Sequence, residues 1–192
     1  MQTLFDIQPR LPKGFRYIEN FLSPEEENKL IAHVREMDLH PFLFQGFEAK
    51  RKVASFGFDY NFNNKVLTKG KEIPSCFTPL LNEVSHTLNI AKHDFAELLV
   101  TEYPPGAVIN WHRDAYPFAT VVGISLASDC IFRFRPHSDE QRRRHSTISL
   151  PVRRRSLYVM QEDARDDWQH STAPVLQQRY SITLRTLRNR RL

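Results

Sequence analysis

Cysteine is scarce in this chain: 192 residues carry two, Cys76 and Cys130. Two thiols cannot frame a disulfide scaffold. Each is followed by an apolar residue, Phe77 or Ile131, which suits a small buried hydrophobe better than a reactive thiol. No apolar run is long enough to cross a bilayer. The start, Met1-Gln2-Thr3-Leu4-Phe5-Asp6, lacks a basic segment leading into an apolar one, so no secretory signal is expected. There is no internal repeat and no low-complexity linker. These absences point to a reducing cytoplasm and away from membrane, fibrous and disulfide-rich classes.

About 41% of the residues are hydrophobic, enough for one sizeable core, and the formal charge is +5. A basic excess attracts phosphates and so admits nucleic acid as a partner. It equally describes an ordinary soluble basic protein, and a monomer is the expectation.

The pattern predicts a short strand over residues 15–22. A helix follows from Ser23-Pro24-Glu25-Glu26, where Ser23 caps, Pro24 takes the first turn and Glu26 completes a capping box. Leu30, Ile31, Val34 and Met37 form its apolar stripe, and His40-Pro41 marks its end. Residues 42–62 are polar and aromatic, with strand character over 52–58. A second helix begins near 74–78, with Phe77, Leu80, Leu81, Val84 and Leu88 at helical spacing. Beyond residue 95 the pattern turns to short strands, at 96–103, 120–127, 130–135, 146–151, 156–160 and 180–187. The run Arg142-Arg143-Arg144 falls in a hairpin loop, and the tail from Arg188 through Arg191 is left as frayed. The expected class is α+β, with a barrel or sandwich core.

His112 and Asp114 stand two apart, so an extended segment puts them on one face. His170 arrives after several strands and can close the group from an opposing sheet. Two imidazoles and a carboxylate cover one face of an octahedral ion and leave the rest open, the arrangement of non-haem Fe(II) oxygenases. Zinc is compatible with the same ligands. The other six histidines, including His137 and His145, are read as solvated.

On the last strand, Arg179, Ser181, Thr183 and Arg185 share one face, while Tyr180, Ile182 and Leu184 share the other. Arginines directed into a core need anions, and guanidinium forks bind carboxylates in pairs. The alternative is a wet strand edge.

In order, Leu99-Val100-Thr101-Glu102-Tyr103-Pro104-Pro105-Gly106-Ala107, His112-Arg113-Asp114, His170 and Arg179-Tyr180-Ser181-Ile182-Thr183-Leu184-Arg185 resemble the AlkB-like family of Fe(II)/2-oxoglutarate-dependent dioxygenases. The resemblance covers the C-terminal half and extends weakly to Arg51-Lys52-Val53-Ala54-Ser55-Phe56-Gly57, which is similar to a substrate-facing flap strand.

The resemblance implies a double-stranded β-helix, or jelly roll, with N-terminal helices and a flap. One domain would span 1–192, with residues 1–94 as N-terminal extension and flap and 95–187 as catalytic core. It implies Fe(II) held by His112, Asp114 and His170 as the catalytic centre. It places 2-oxoglutarate on Tyr103, Arg179, Ser181, Thr183 and Arg185, with Arg179 at the distal carboxylate and Arg185 near the chelating end. O2 is the second co-substrate. Alkylated DNA or RNA is the implied partner, gripped by Arg51, Phe56, Trp111 and Tyr116, with Tyr60 and Phe118 as further candidates. The implied reaction is oxidative demethylation, releasing formaldehyde, succinate and CO2.

Ser181 and Thr101 stand where the family often carries asparagine, and Tyr116 where bacterial repair members carry an acid. Those departures keep open hydroxylation of a modified tRNA base, a protein side chain or a small molecule, and also a non-catalytic binding module.

Overall fold

Ser23 accepts a hydrogen bond from the Glu26 backbone, and Glu26 bonds back to the Ser23 backbone at 2.8 Å, so the expected capping box opens α1, Pro24–Arg35. Its apolar face buries Leu30, Ile31 and Val34. A single 3-10 turn, Ser75–Phe77, leads into α2, Thr78–Leu88, which ends on Asn89 in the left-handed conformation and buries Leu80, Leu81 and Val84. The computed structural model describes residues 11–44, 46–61, 65–144 and 147–188. The opening segment Met1–Asp6, His145 and the tail Asn189–Arg191 lie outside the described residues.

The strands are β1 (Phe15–Ile18), β2 (His40–Phe44), β3 (Phe47–Asn61), β4 (Val66–Lys69), β5 (Phe95–Tyr103), β6 (Phe118–Leu126), β7 (Cys130–Pro136), β8 (Ile148–Val152), β9 (Leu157–Met160), β10 (Trp168–Thr172) and β11 (Arg179–Leu187). An eight-stranded sheet runs β1-β9-β6-β11-β5-β3-β2, with β4 attached to β3, and a three-stranded sheet runs β10-β7-β8. All strand pairs within them are antiparallel. The large sheet therefore takes strands from both sides of residue 94: β1 caps one edge against β9, and β3 pairs along β5.

Period-two alternation makes the large sheet two-faced. One face presents Leu98, Val100, Val122, Ile124, Ile182 and Leu184 to the helices, in a single cluster with Leu30, Val34, Phe77 and Val84. The opposite face presents Tyr103, Val121, Tyr158 and Met160 to Phe132 and Phe134 of the small sheet. The facing sheets form the double-stranded β-helix, and burial of each large apolar side chain contributes about 1.5–3 kcal/mol.

Two devices fix the frame. Glu27 of α1 is 0% exposed, and its carboxylate takes Arg154 Nη2 at 2.5 Å and the Ala127 backbone N–H at 2.9 Å, tying helix to sheet. Gly57 has φ +84°, and a Cβ there would strike the Ala96 carbonyl. At that residue β3 ends its ladder with β5 and takes up β4.

β2, β4 and β10 were not expected from the pattern. β10 reads Trp-Gln-His-Ser-Thr, a mostly polar run that becomes a strand because β7 supplies its partner. The arginine run at 142–144 lies at the end of a short helix, α3 (Asp139–Arg144), which closes the β7–β8 hairpin in place of a plain loop.

Candidate active site

β11 carries alternate residues toward the space between the sheets. Arg185 lies opposite Glu97 on β5 and Val121 on β6, Thr183 opposite Leu99 and Gly123, Ser181 opposite Thr101 and Ser125, and Arg179 opposite Tyr103. This register lines one face with polar groups while Ile182 and Leu184 fill the helical side. Ahead of β6, the loop after β5 brings His112 into an isolated antiparallel bridge with His170 of β10, with backbone bonds of 3.1 and 2.9 Å. The bridge joins the loop to the small sheet and sets both imidazoles side by side.

One ligand atom from each of His112, Asp114 and His170 lies within 4.8 Å of the others. The His112 Nδ1–H donates to the Asn110 carbonyl at 2.8 Å, which leaves Nε2 free to ligate. Phe132 stacks on His170, with ring centroids 5.3 Å apart. Arg185 donates to Asp114 Oδ1 from Nε at 3.0 Å and from Nη2 at 2.7 Å. Its Nη1 reaches Glu97 Oε2 at 2.5 Å, and Ser55 donates to the other Glu97 oxygen at 3.3 Å.

The remaining oxygen, Asp114 Oδ2, is buried without a hydrogen-bond partner and lies 3.5 Å from His170 Nε2. A buried carboxylate oxygen left unpaired beside two imidazoles is the signature of a position meant for a cation. Burial alone would raise the Asp114 pKa, but Arg185, His170 and His112 together hold it well below the carboxylate range. Burial, reinforced by His112, brings the His170 imidazole down to about 3, and burial also lowers His112. An ionised carboxylate and two neutral imidazoles are the ligating forms, so the donor set fits Fe(II).

Arg179 is 2% exposed, and its Nε donates to Ser125 Oγ at 3.2 Å. Its guanidinium lies 4.8 Å from the centroid of the Tyr103 ring, whose hydroxyl sits 3.3 Å from Ser181 Oγ. Among the described residues it has no carboxylate partner. A buried cation of this kind carries a desolvation cost that an anion beside it offsets, and a bidentate carboxylate satisfies the fork.

A cavity of about 740 Å³ joins the His112, Asp114 and His170 cluster to Arg179 and is also lined by Tyr103, Thr183 and Arg185. It holds room for a small dicarboxylate and part of a substrate. Ser181 is not on its wall and serves the Tyr103 hydroxyl instead.

Of the four substrate candidates, Arg51 and Phe56 line the cavity. Arg51 stands 4.0 Å over the Phe42 ring and makes no ion pair among the described residues. Trp111 lies away from the cavity, its ring covered by Arg135 at 4.5 Å and Arg133 at 5.2 Å. Tyr116 is 80% exposed, with Arg188 at 5.1 Å over its ring. Tyr60 and Phe118 do reach the cavity wall.

Glu97, Asp59 and Tyr158 also line the cavity and were not singled out from the sequence. Glu97 could have been: it shares its strand face with Leu99, Thr101 and Tyr103 by simple alternation. Asp59 and Tyr158 required knowledge of how β3 and β9 sit in the sheet.

The chain is similar to several known proteins. At 28% identity over 170 residues, covering 85% of this chain, it is similar to the tRNA (carboxymethyluridine(34)-5-O)-methyltransferase ALKBH8 of Mus musculus, of which it spans 25%. The chain thus covers about a quarter of the length of such relatives. It is 26% identical to the uncharacterized protein L905 of Acanthamoeba polyphaga mimivirus over 84% of this chain and 73% of that protein. Among solved structures, OsALKBH1 superposes with a TM-score of 0.70 at 13% identity, covering 92% of this chain and 97% of that one. A Pseudomonas putida prolyl-4-hydroxylase gives 0.64 at 17% identity, covering 91% and 93%. These two share the fold. The model of the 2OG-Fe(II) oxygenase superfamily matches residues 14–192. The chain belongs to the 2OG-Fe(II) oxygenase superfamily, which works with Fe(II), 2-oxoglutarate and O2, and is AlkB-like.

Proposed function

We propose that this dioxygenase oxidises an alkyl substituent on a base of DNA or RNA, so that an N-methyl group leaves as formaldehyde. The observation that carries the reading is the single cavity running from the His112, Asp114 and His170 cluster to the flap strand β3, where Arg51, Phe56 and Tyr60 line it. A base lifted from its stack needs an aromatic wall and a cation for its phosphate or its anionic substituent.

The roles follow from the contacts. His112, Asp114 and His170 would hold Fe(II), which together with 2-oxoglutarate and O2 supplies the oxidising equivalent and leaves succinate and CO2. Arg185 keeps Asp114 ionised and turned so that Oδ2 faces the two imidazoles. Arg179 and Tyr103 would take the distal carboxylate, and Phe132 and Met160 exclude water between the sheets. No protein general base is required for abstraction of a C–H hydrogen.

The test is formaldehyde release from oligonucleotides carrying 1-methyladenine or 3-methylcytosine, dependent on Fe(II) and 2-oxoglutarate. Release that fails for methylated and etheno-modified DNA and RNA alike removes this reading.

A second reading, hydroxylation of a modified tRNA base, is favoured by the relatives named for carboxymethyluridine at position 34. Arg51, which lines the cavity and has no ion pair among the described residues, suits a carboxylate-bearing substituent as well as a phosphate. Mass spectrometry of treated tRNA, showing a gain of one oxygen without formaldehyde, separates the two.

A further inference from the structure

We propose that Tyr158 is a further co-substrate-binding residue, its phenol donating to the carboxylate of 2-oxoglutarate remote from the metal. Tyr158 on β9 lies opposite Gly123 on β6, and Gly123 lies opposite Thr183 on β11. The tyrosine does not stand upright from its own strand. Its ring lies across Gly123, where any Cβ would collide with the phenol carbon and hydroxyl oxygen. Glycine at 123 thus clears the path by which the ring reaches from the sheet edge toward β11.

The rung it reaches is the one between Arg185, which holds the metal ligand Asp114, and Arg179. A keto acid spanning from metal to Arg179 has to pass this rung. Tyr158 is 7% exposed, lines the cavity, and its hydroxyl has no hydrogen-bond partner among the described residues.

A phenol that opens on a polar cavity without a protein acceptor is free to donate its hydrogen to a ligand that enters. Phe132, at 5.1 Å between centroids, and Phe15, at 6.3 Å, hold the ring on its apolar sides. Burial pushes the phenol above its ordinary value and so keeps it a donor, while the nearby Arg179 works in the opposite sense. Tyr103 approaches the same guanidinium from the other strand. The two tyrosines and Arg179 then form a three-donor pocket, in which Tyr158 also limits how long a keto acid can be.

The inference rests on the assignment of Arg179 to the co-substrate. The experiment is calorimetric binding to Mn(II)-loaded protein, comparing wild type with Tyr158→Phe. The ligands are 2-oxoglutarate and oxalate, which chelates metal but has no distal carboxylate.

Loss of one hydrogen bond to a charged acceptor should weaken 2-oxoglutarate about tenfold and leave oxalate within roughly twofold. The unfolding midpoint without ligand should be unchanged or raised, since no protein partner is lost. Tyr158→Leu, which keeps an apolar side chain against Phe15 and Phe132, should repeat the selective loss. Unaltered 2-oxoglutarate affinity in both variants, or equal loss for the two ligands, overturns the proposal. If wild type binds 2-oxoglutarate and an Arg179 variant loses it while Tyr158→Phe does not, only the Tyr158 assignment falls. If wild type binds none, the wider reading falls with it.

Discussion

Arg179→Met separates stability from binding in a way few substitutions do. The guanidinium is 2% exposed, its Nε satisfied by Ser125 Oγ at 3.2 Å, with no carboxylate among the described residues to offset its charge. Methionine fills much of the same volume without charge. In ligand-free protein the exchange removes an uncompensated buried cation, a change worth about 1–3 kcal/mol in favour of folding. For a chain of this size that is a rise of roughly 2–10 °C in the unfolding midpoint. Binding moves the other way. Removing one partner of a buried charge-assisted pair costs about 2–5 kcal/mol, or upwards of roughly 30-fold in 2-oxoglutarate affinity. Differential scanning fluorimetry and calorimetry on Mn(II)-loaded protein read both quantities. A variant destabilised by more than about 2 kcal/mol, with affinity intact, would show that Arg179 serves the fold and not a carboxylate.

Four further outcomes follow from the contacts. Asp114→Ala should weaken Mn(II) or Fe(II) binding by at least roughly 100-fold while the chain stays folded, because Arg185 keeps Glu97 as a partner; equilibrium dialysis checks it, and retained metal would contradict the ligand assignment. Glu27→Gln weakens the grip on Arg154 and the Ala127 N–H and should lower stability by about 2–3 kcal/mol, read by urea unfolding, with 2-oxoglutarate affinity unchanged. Arg51→Ala should raise the KM for nucleic acid substrate several-fold and flatten its salt dependence, with 2-oxoglutarate affinity held, whereas Trp111→Ala, whose ring lies under Arg133 and Arg135 away from the cavity, should change neither.

Much of this site was legible because its chemistry is local. The capping box at Ser23, the helical stripes of α1 and α2, and the alternation along β5, β6 and β11 follow from short-range periodicity. Period two put Arg179 and Arg185 on one face before any partner was known, and the structure adds how they differ: Arg185 meets Asp114 and Glu97, while Arg179 is buried with no carboxylate partner among the described residues. What stayed hidden depends on long-range pairing. β10 is polar in sequence and becomes a strand only beside β7. Trp111 and Tyr116 neighbour His112 and Asp114 along the chain, yet Trp111 lies under Arg133 and Arg135 off the cavity and Tyr116 is exposed. Tyr158 enters the cavity only because a glycine lies across the sheet from it.

The central claim is that His112, Asp114 and His170 hold one Fe(II) with 2-oxoglutarate chelated beside it. Adding both under argon and recording the visible spectrum tests it most directly. A weak metal-to-ligand charge-transfer band should appear with wild type, need both additions, and vanish in Asp114→Ala. A spectrum that stays flat at saturating Fe(II) and 2-oxoglutarate would contradict it.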